Sequence, residues 1–370
     1  MKKSLIIILC AVMLASIAAL PILCTHASML PEKTTEYYEK KAMADAMSAT
    51  GPEAELMRML LGISAAPEEE KVPEPLSPTR YGFFLALGAC VSLTVLLYQG
   101  KKSSDLRPAL LWTAALAVPL SLLGARLLYC LANLPFYLAD IAAPEAMLKI
   151  WEGGLSLCGA LSLGMLSGVF GAKLGKAPVS KVLDRMTAPL LLMAAFASLS
   201  AMTANTGFGP EMETAIPLLT LSMGDSLRLN TPLLTALAIL LVILFTRFSP
   251  LAKHCAPGPR FALAAFLYGG AMILMESLRR DGHMLWGFVH AEMAFDLLIA
   301  LPALLYLAKK GKKLPWAIIA TVLLAALVIV LEFALDRSNF GDIWLYLVYF
   351  ASISAYLWLG CSCAKSTAGI

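Results

Sequence analysis

The sequence predicts an all-α fold, a polytopic membrane helix bundle, and three observations carry that prediction. Of 370 residues, 59% are hydrophobic and 15% charged, with a mean hydropathy of +0.76. A soluble protein of this size cannot hide so much apolar surface, which excludes a soluble enzyme. Apolar runs close to the ~20 residues that cross a bilayer recur along the chain. They lie near 82–99, 108–131, 154–172, 187–204, 232–246, 261–277, 288–308, 315–335 and 343–360. Backbone groups in lipid must be hydrogen-bonded internally, so these runs are helices rather than isolated strands.

The third observation is the charge on the turns. Lys101, Lys102 and Arg107, then Lys173, Lys176, Lys181 and Arg185, then Arg247, Lys253 and Arg260, then Lys309, Lys310, Lys312 and Lys313 form one set. The alternate turns hold Asp140, Glu145 and Glu152, then Glu211, Glu213 and Asp225, then Asp336 and Asp342. Basic turns face the cytoplasm. The first span of the bundle therefore runs from outside to inside, and the carboxyl terminus is cytoplasmic. The net charge of +4 belongs to these inner turns and implies no nucleic-acid partner.

Ahead of the bundle, Lys2 and Lys3 precede an apolar stretch from Leu5 to Leu23. Residues 1–27 read as a signal peptide cleaved after Ala27 or as an N-terminal membrane anchor, and both give the same orientation. Residues 28–80 form an extracytoplasmic extension with two short amphipathic stretches, 36–48 and 53–61, and a stiff acidic linker, "PEEEKVPEPLSP". Eight cysteines are scattered, with Cys361-Ser362-Cys363 the one close pair, and the four histidines are dispersed. No metal-ligand spacing, nucleotide loop or Gly-x-Ser-x-Gly elbow occurs, so no metal and no cofactor are expected.

Ionisable residues inside spans are the functional candidates, because each costs about 2.5–3.5 kcal/mol at the bilayer centre on insertion scales. Arg126 and Tyr129 lie near the end of the second span. Glu276, Arg279, Arg280 and Asp281 close the sixth, and His290 and Glu292 begin the seventh. Glu276 shares a helix face with Arg279 and Arg280. Arginines beside a carboxylate suit an anionic phospholipid headgroup; they equally suit simple anchoring, with the arginines snorkelling to the interface. Gly153 and Gly154, in "WEGGLSLCGA", also read two ways. They permit close helix packing, or they bring a headgroup up to exposed N–H groups at a helix start.

Four islands then resemble, in order, the phosphatidylglycerol–prolipoprotein diacylglyceryl transferases. "RYGFFLALG" (80–88) is similar to the Tyr-Gly opening of that family's first helix, and "GARLLYCL" (124–131) to its Gly-x-Arg-x-x-Tyr. "IWEGGLSLCGALSLG" (150–164) resembles Gly-Gly-Leu-Ser-Phe-His-Gly-Gly, and "YGGAMILMESLRRDGH" (268–283) resembles Tyr-Gly-x-x-Arg-Phe-x-x-Glu-x-x-Arg. A fifth, Asp184–Pro210, resembles the signature helix containing Gly-Arg-x-Gly-Asn-Phe-x-Asn. The resemblance implies a seven-helix diacylglyceryl-transferase-like core at 81–308, followed by two additional membrane helices and a short tail at 309–370.

The resemblance further implies a bacterial cytoplasmic-membrane protein of lipoprotein maturation. Its partners are phosphatidylglycerol, a lipobox-containing prolipoprotein and membrane lipid. Diacylglycerol passes from phosphatidylglycerol to the lipobox cysteine thiol on the outer leaflet. That chemistry needs a base for the thiol proton and donors for the phosphate. The matching residues Tyr81, Arg126, Tyr129, Gly153, Gly154, Asn205 and Arg279 are the expected substrate-binding set; Cys158, Glu276 and His290 are the expected catalytic set. This chain departs from the pattern at five positions: Cys158 replaces a His, Leu199 and Met272 replace Arg, Met202 replaces Asn, and Gly207 falls at an acidic position. The alternative expectation is accordingly a catalytically impaired relative that binds phospholipid or lipoprotein precursor. Cys24 follows Pro21, Ile22 and Leu23 instead of the small residue of a lipobox, so a lipidated amino terminus is not expected.

Overall fold

The computed structural model describes residues 3–24, 78–134, 137, 147–148, 150, 153–223, 226–280, 284–337 and 342–368. Ala27, the extension at 28–77 and its two amphipathic stretches, Asp281 and His283 lie outside them. Ten of the described helices are long and apolar enough to cross a membrane. In chain order these are α1 (Lys3–Leu23), α2 (Arg80–Lys102), α3 (Arg107–Ala132), α4 (Leu157–Leu174), α5 (Val179–Thr203) and α6 (Thr231–Phe248). After the short α7 (Pro250–His254) come α8 (Pro259–Ser277), α9 (Ala291–Lys310), α10 (Leu314–Arg337) and α11 (Asp342–Ala368). Two small antiparallel hairpins interrupt them, β1 (Thr220–Met223) with β2 (Ser226–Leu229), and β3 (Leu285–Trp286) with β4 (Val289–His290). The chain is an all-α multi-pass membrane bundle.

Helix starts follow their capping residues. Thr79 Oγ1 accepts from Gly82 N–H at 3.1 Å at the start of α2, and Asn230 accepts from Leu233 N–H at 3.3 Å at the start of α6. Ser156 accepts from Gly159 N–H at 3.2 Å at the start of α4. Each such bond satisfies one of the donors that a helix amino terminus leaves over. Helix α4 therefore begins at Leu157, three residues later than the apolar run predicts. Gly153 and Gly154 precede it with φ of 87° and 74°, a left-handed backbone no α-helix accommodates. Helix α5 begins earlier than its apolar run, at Val179, because Asp184 and Arg185 lie within its first turns; Asp184 pairs with Arg260 of α8 at 3.4 Å. Helix α11 runs on to Ala368.

The two largest hydrophobic clusters among the described residues hold most of the bundle. The larger centres on α8, whose Leu263, Phe266, Tyr268 and Met272 meet α5, α6, α9 and α11. Phe266 packs on Tyr356 of α11 with ring centroids 5.0 Å apart, so the two carboxyl-terminal helices are seated on the core. The smaller joins α2, α3, α4 and α5 through Leu96, Leu110, Ala172, Val182 and Met186. Helices α3 and α4 cross where Gly124 meets Gly159: a Cβ on either would stand 2.2–2.3 Å from the other's carbonyl oxygen. Only glycine permits that approach. On α10 and α11, Ile318, Val322, Val330, Trp344, Phe350 and Trp358 are exposed, the apolar surface that lipid covers in a membrane.

Candidate functional site

Helices α1, α3, α5 and α8 end, and α2, α4 and α9 begin, at one end of the bundle. The buried ionisable side chains Arg126, Glu276, His290, Glu292 and Asp296 gather there. The basic turns that carry Lys101, Lys173, Arg247 and Lys309 lie at the other end.

Ser156 is the hinge of the site. While capping α4, its hydroxyl donates to Glu292 Oε1 at 2.7 Å, and Leu157 N–H donates to the same oxygen at 3.1 Å. The first turn of α4 is thereby tied to the first turn of α9. One turn further, the Cys158 thiol donates to Asp296 Oδ1 at 2.9 Å. Ser156, Cys158, Glu292 and Asp296 are buried, with Cys158 1% and Asp296 2% exposed. From the end of α8, Glu276 takes two bonds from Arg279 Nη1, at 2.9 and 3.2 Å. The charges of Glu276 and Arg279 are both felt at Glu292 and Asp296. Three carboxylates and one guanidinium thus share a low-dielectric space, where each charge acts with more than its aqueous strength. Tyr81, at the start of α2, lies in hydrogen-bonding reach of Ser200 on α5 and within the field of Glu292 and Arg279.

A second layer fixes the approach to α4. Arg126 Nε donates to the Met147 carbonyl at 2.9 Å, and Nη1 donates to the carbonyls of Gly153 and of Gly154, the latter at 3.2 Å. Its guanidinium also stands over the Tyr129 ring, 5.8 Å from the centroid. Tyr129 in turn fills the space a Gly154 side chain would need: a Cβ there would sit 2.3 Å from Cε1. Arg126 and Tyr129 therefore clamp the glycine turn, and the glycines present carbonyl oxygens to the guanidinium. Gly153 N–H is committed to the Ile150 carbonyl at 3.2 Å. The β3–β4 hairpin lies against the same region, with Trp286 Nε1 donating to the Ala132 carbonyl at 2.9 Å.

A family model described as prolipoprotein diacylglyceryl transferase matches residues 71–308. The chain belongs to that family. Among similar proteins is a phosphatidylglycerol–prolipoprotein diacylglyceryl transferase of Rhodococcus jostii (strain RHA1), 23% identical over 65% of this chain and 73% of the relative. Proteins of the same name from Bifidobacterium longum (strain DJO10A) and Thermoanaerobacter sp. (strain X514) are 30% and 35% identical over shorter stretches. Those stretches span 25% and 26% of this chain, and 29% and 37% of the relatives' lengths. Family membership agrees with the resemblance in the sequence, and α10 and α11 lie beyond the matched residues.

Within this diacylglyceryl transferase fold, the residues singled out in the sequence separate into groups. Cys158, Glu276, Arg279 and Tyr81 stand in or beside the carboxylate cluster. Arg126, Tyr129, Gly153 and Gly154 form the clamp next to it. His290 is the N-cap residue of α9; its charge is felt at Glu332 of α10, and Phe288 near it packs on Phe333 with centroids 5.5 Å apart. Asn205 is exposed in the turn after α5, with φ 54°. Arg279 lies instead beside Gly207, where a Cβ would stand 3.8 Å from its Nε. Asp296 was not singled out in the sequence, and Glu292 was noted there without a role. Their signal was available: two acids four residues apart share one helix face at the head of an apolar run.

Proposed function

We propose that this family member transfers diacylglycerol from phosphatidylglycerol to the thiol of a lipobox cysteine, at the membrane end where the site lies and on the outer leaflet. The observation that carries the reading is the Cys158–Asp296 pair. Where the family resemblance gives a histidine, this chain has a thiol that donates a hydrogen bond to a buried carboxyl group 2.9 Å away. The chemistry requires a group that accepts a proton from an incoming thiol, and Asp296 supplies one on the spot that the substituted side chain cannot serve. A positioned proton acceptor contributes about 10²–10⁴-fold to such a step. Cys158 holds that carboxylate in place by donating to it.

Arg279 is the donor for the phosphate, its guanidinium oriented by Glu276 in a 2.9 Å pair with only 15% and 9% of the two side chains exposed. Ser156 and Glu292 lock α4 to α9, and Arg126 with Tyr129 holds the glycine turn against which the headgroup rests. The step forms a thioether between the lipobox sulfur and the glyceryl carbon that bore the phosphate. It breaks that carbon–oxygen bond and releases glycerol phosphate, and the thiol proton passes to Asp296.

One observation favours a second reading, a relative that binds phospholipid or precursor without turnover. Leu199 and Met272 stand where the resemblance gives arginines, and loss of one oriented donor costs about 2.7–4 kcal/mol of barrier. Purified protein given labelled phosphatidylglycerol and a lipobox peptide separates the two readings. Mass spectrometry is expected to find the thioether-linked peptide; labelled lipid retained by the protein with no peptide product would establish the binding role and overturn transfer.

A further inference from the structure

Arg279 stands just beyond the helix that delivers it. Helix α8 ends at Ser277, and turn bonds carry the chain onward: Leu278 N–H donates to the Met275 carbonyl at 3.2 Å, and Arg279 N–H to the Glu276 carbonyl at 3.1 Å. The last carbonyls of a helix have no partner within it, so the Ser277 carbonyl takes a donor from another element. Tyr346 of α11 supplies it, its hydroxyl donating to Ser277 O at 3.1 Å. The same phenolic oxygen accepts from Arg280 Nη2 at 3.2 Å. One side chain of α11 thus bonds to the chain on both sides of Arg279. The backbone of Arg280 is tied in turn to the segment after α5, its N–H donating to the Phe208 carbonyl at 2.9 Å.

The phenol is aimed by the helix behind it. Phe266 meets Tyr356 and Ser277 meets Tyr346, so α8 and α11 run antiparallel. Between these contacts Gly270 approaches Leu357 so closely that a Cβ would stand 2.6 Å from its Cδ2. Phe266, Gly270 and Ser277 fall on one face of α8 at helical spacing. On α11, Tyr349, Ile353 and Tyr356 recur at that spacing and are buried; Tyr346, half-buried, is the next position of the same stripe. A side chain carried on a helix packed along its length is placed more precisely than one on a loop. The turn that holds Arg279 takes that precision from α11, a helix beyond the residues that match the family.

We propose that Tyr346 is a positioning residue for transfer, and that α11 holds the Arg279 guanidinium in line with the phosphate. The inference rests on the transfer reading above, in which Arg279 is the phosphate donor. Glu276 orients the tip of that side chain, and Tyr346 fixes the backbone from which it springs. Donors aimed at the place where charge develops act because they need no rearrangement at the moment of reaction. A loosened backbone at Arg279 is therefore felt as charge builds on the departing phosphate, and much less in the binding of phosphatidylglycerol. Tyr346 acts through Arg279, so its effect disappears when the guanidinium is replaced.

The test measures thioether formation by the full-length protein on a lipobox peptide at varied phosphatidylglycerol, with thermal unfolding of each variant. Tyr346→Phe keeps the ring and removes the hydroxyl. It is expected to lower kcat about 10²-fold, the loss that a small misplacement brings, with KM for phosphatidylglycerol unchanged, the pattern of an interaction made only in the transition state. Tyr356→Phe is the structural control on the same helix, since its hydroxyl bonds to Thr321 of α10 at 3.0 Å; it is expected to keep the wild-type kcat. In an Arg279→Lys background, adding Tyr346→Phe is expected to cost little more, because residues that act together are not additive. An active wild type with Tyr346→Phe at the same kcat would overturn the positioning role and leave transfer standing. So would equal loss of kcat in the two phenylalanine variants, or a full additional loss on top of Arg279→Lys. No thioether product from the wild type would overturn the transfer reading and this inference with it.

Discussion

At the scale of single residues, the substituted base position has a defined partner. The Cys158 thiol donates its one hydrogen bond to Asp296 Oδ1 at 2.9 Å. Removing that donor leaves a buried carboxylate with less compensation, an effect worth about 1–3 kcal/mol. Cys158→Ala is therefore expected to lower the melting temperature in detergent, whereas Cys158→Ser, which keeps a donor at nearly the same place, stays close to wild type. Equal destabilisation by Ala and Ser would show that the hydrogen bond is not what matters. The cysteine was legible in the sequence as an odd member of its motif. Its partner was not, because the two residues are 138 positions apart and no local pattern joins them. The short spacing of Glu292 and Asp296 did announce a shared face, yet a pair of acids near a helix start reads equally as a favourable match to the helix dipole.

At the scale of elements, apolar runs place helices well and helix starts poorly. All nine predicted spans are helices, but hydropathy cannot register the left-handed backbone at Gly153 and Gly154, so the run was read as helix from 154. What the glycines do is set by α3: Arg126 binds their carbonyls and Tyr129 covers Gly154. Gly154→Ala combines strained φ with a ring clash and is expected to cost about 1–3 kcal/mol or more. Gly287 offers the control, since its φ is 66° and a Cβ there would meet nothing within 4 Å. Gly287→Ala should cost only the backbone strain, about 1–2 kcal/mol. Thermal unfolding in detergent reads both, and equal shifts would contradict the clamp. His290 is expected in the catalytic set from its place at the start of the seventh span. Its charge is felt at Glu332 of α10, an element that sequence order alone does not place beside it.

At the scale of the whole molecule, the bundle separates its charge. Basic turns collect at one end, and the buried carboxylates, the arginine pair and the glycine clamp collect at the other. The alternation was legible because it depends on turn composition and parity alone. The meeting of α1, α2, α4, α5, α8 and α9 around one space was not, since it follows from helix packing. Transfer at that space needs a proton acceptor, and the account assigns the role to Asp296. The most direct measurement is therefore the rate of thioether formation on a lipobox peptide by wild type and by Asp296→Asn, with folding checked by thermal unfolding. A folded Asn variant is expected to retain phosphatidylglycerol but to form product about 10²–10⁴-fold more slowly. A folded Asn variant working at the wild-type rate would contradict it.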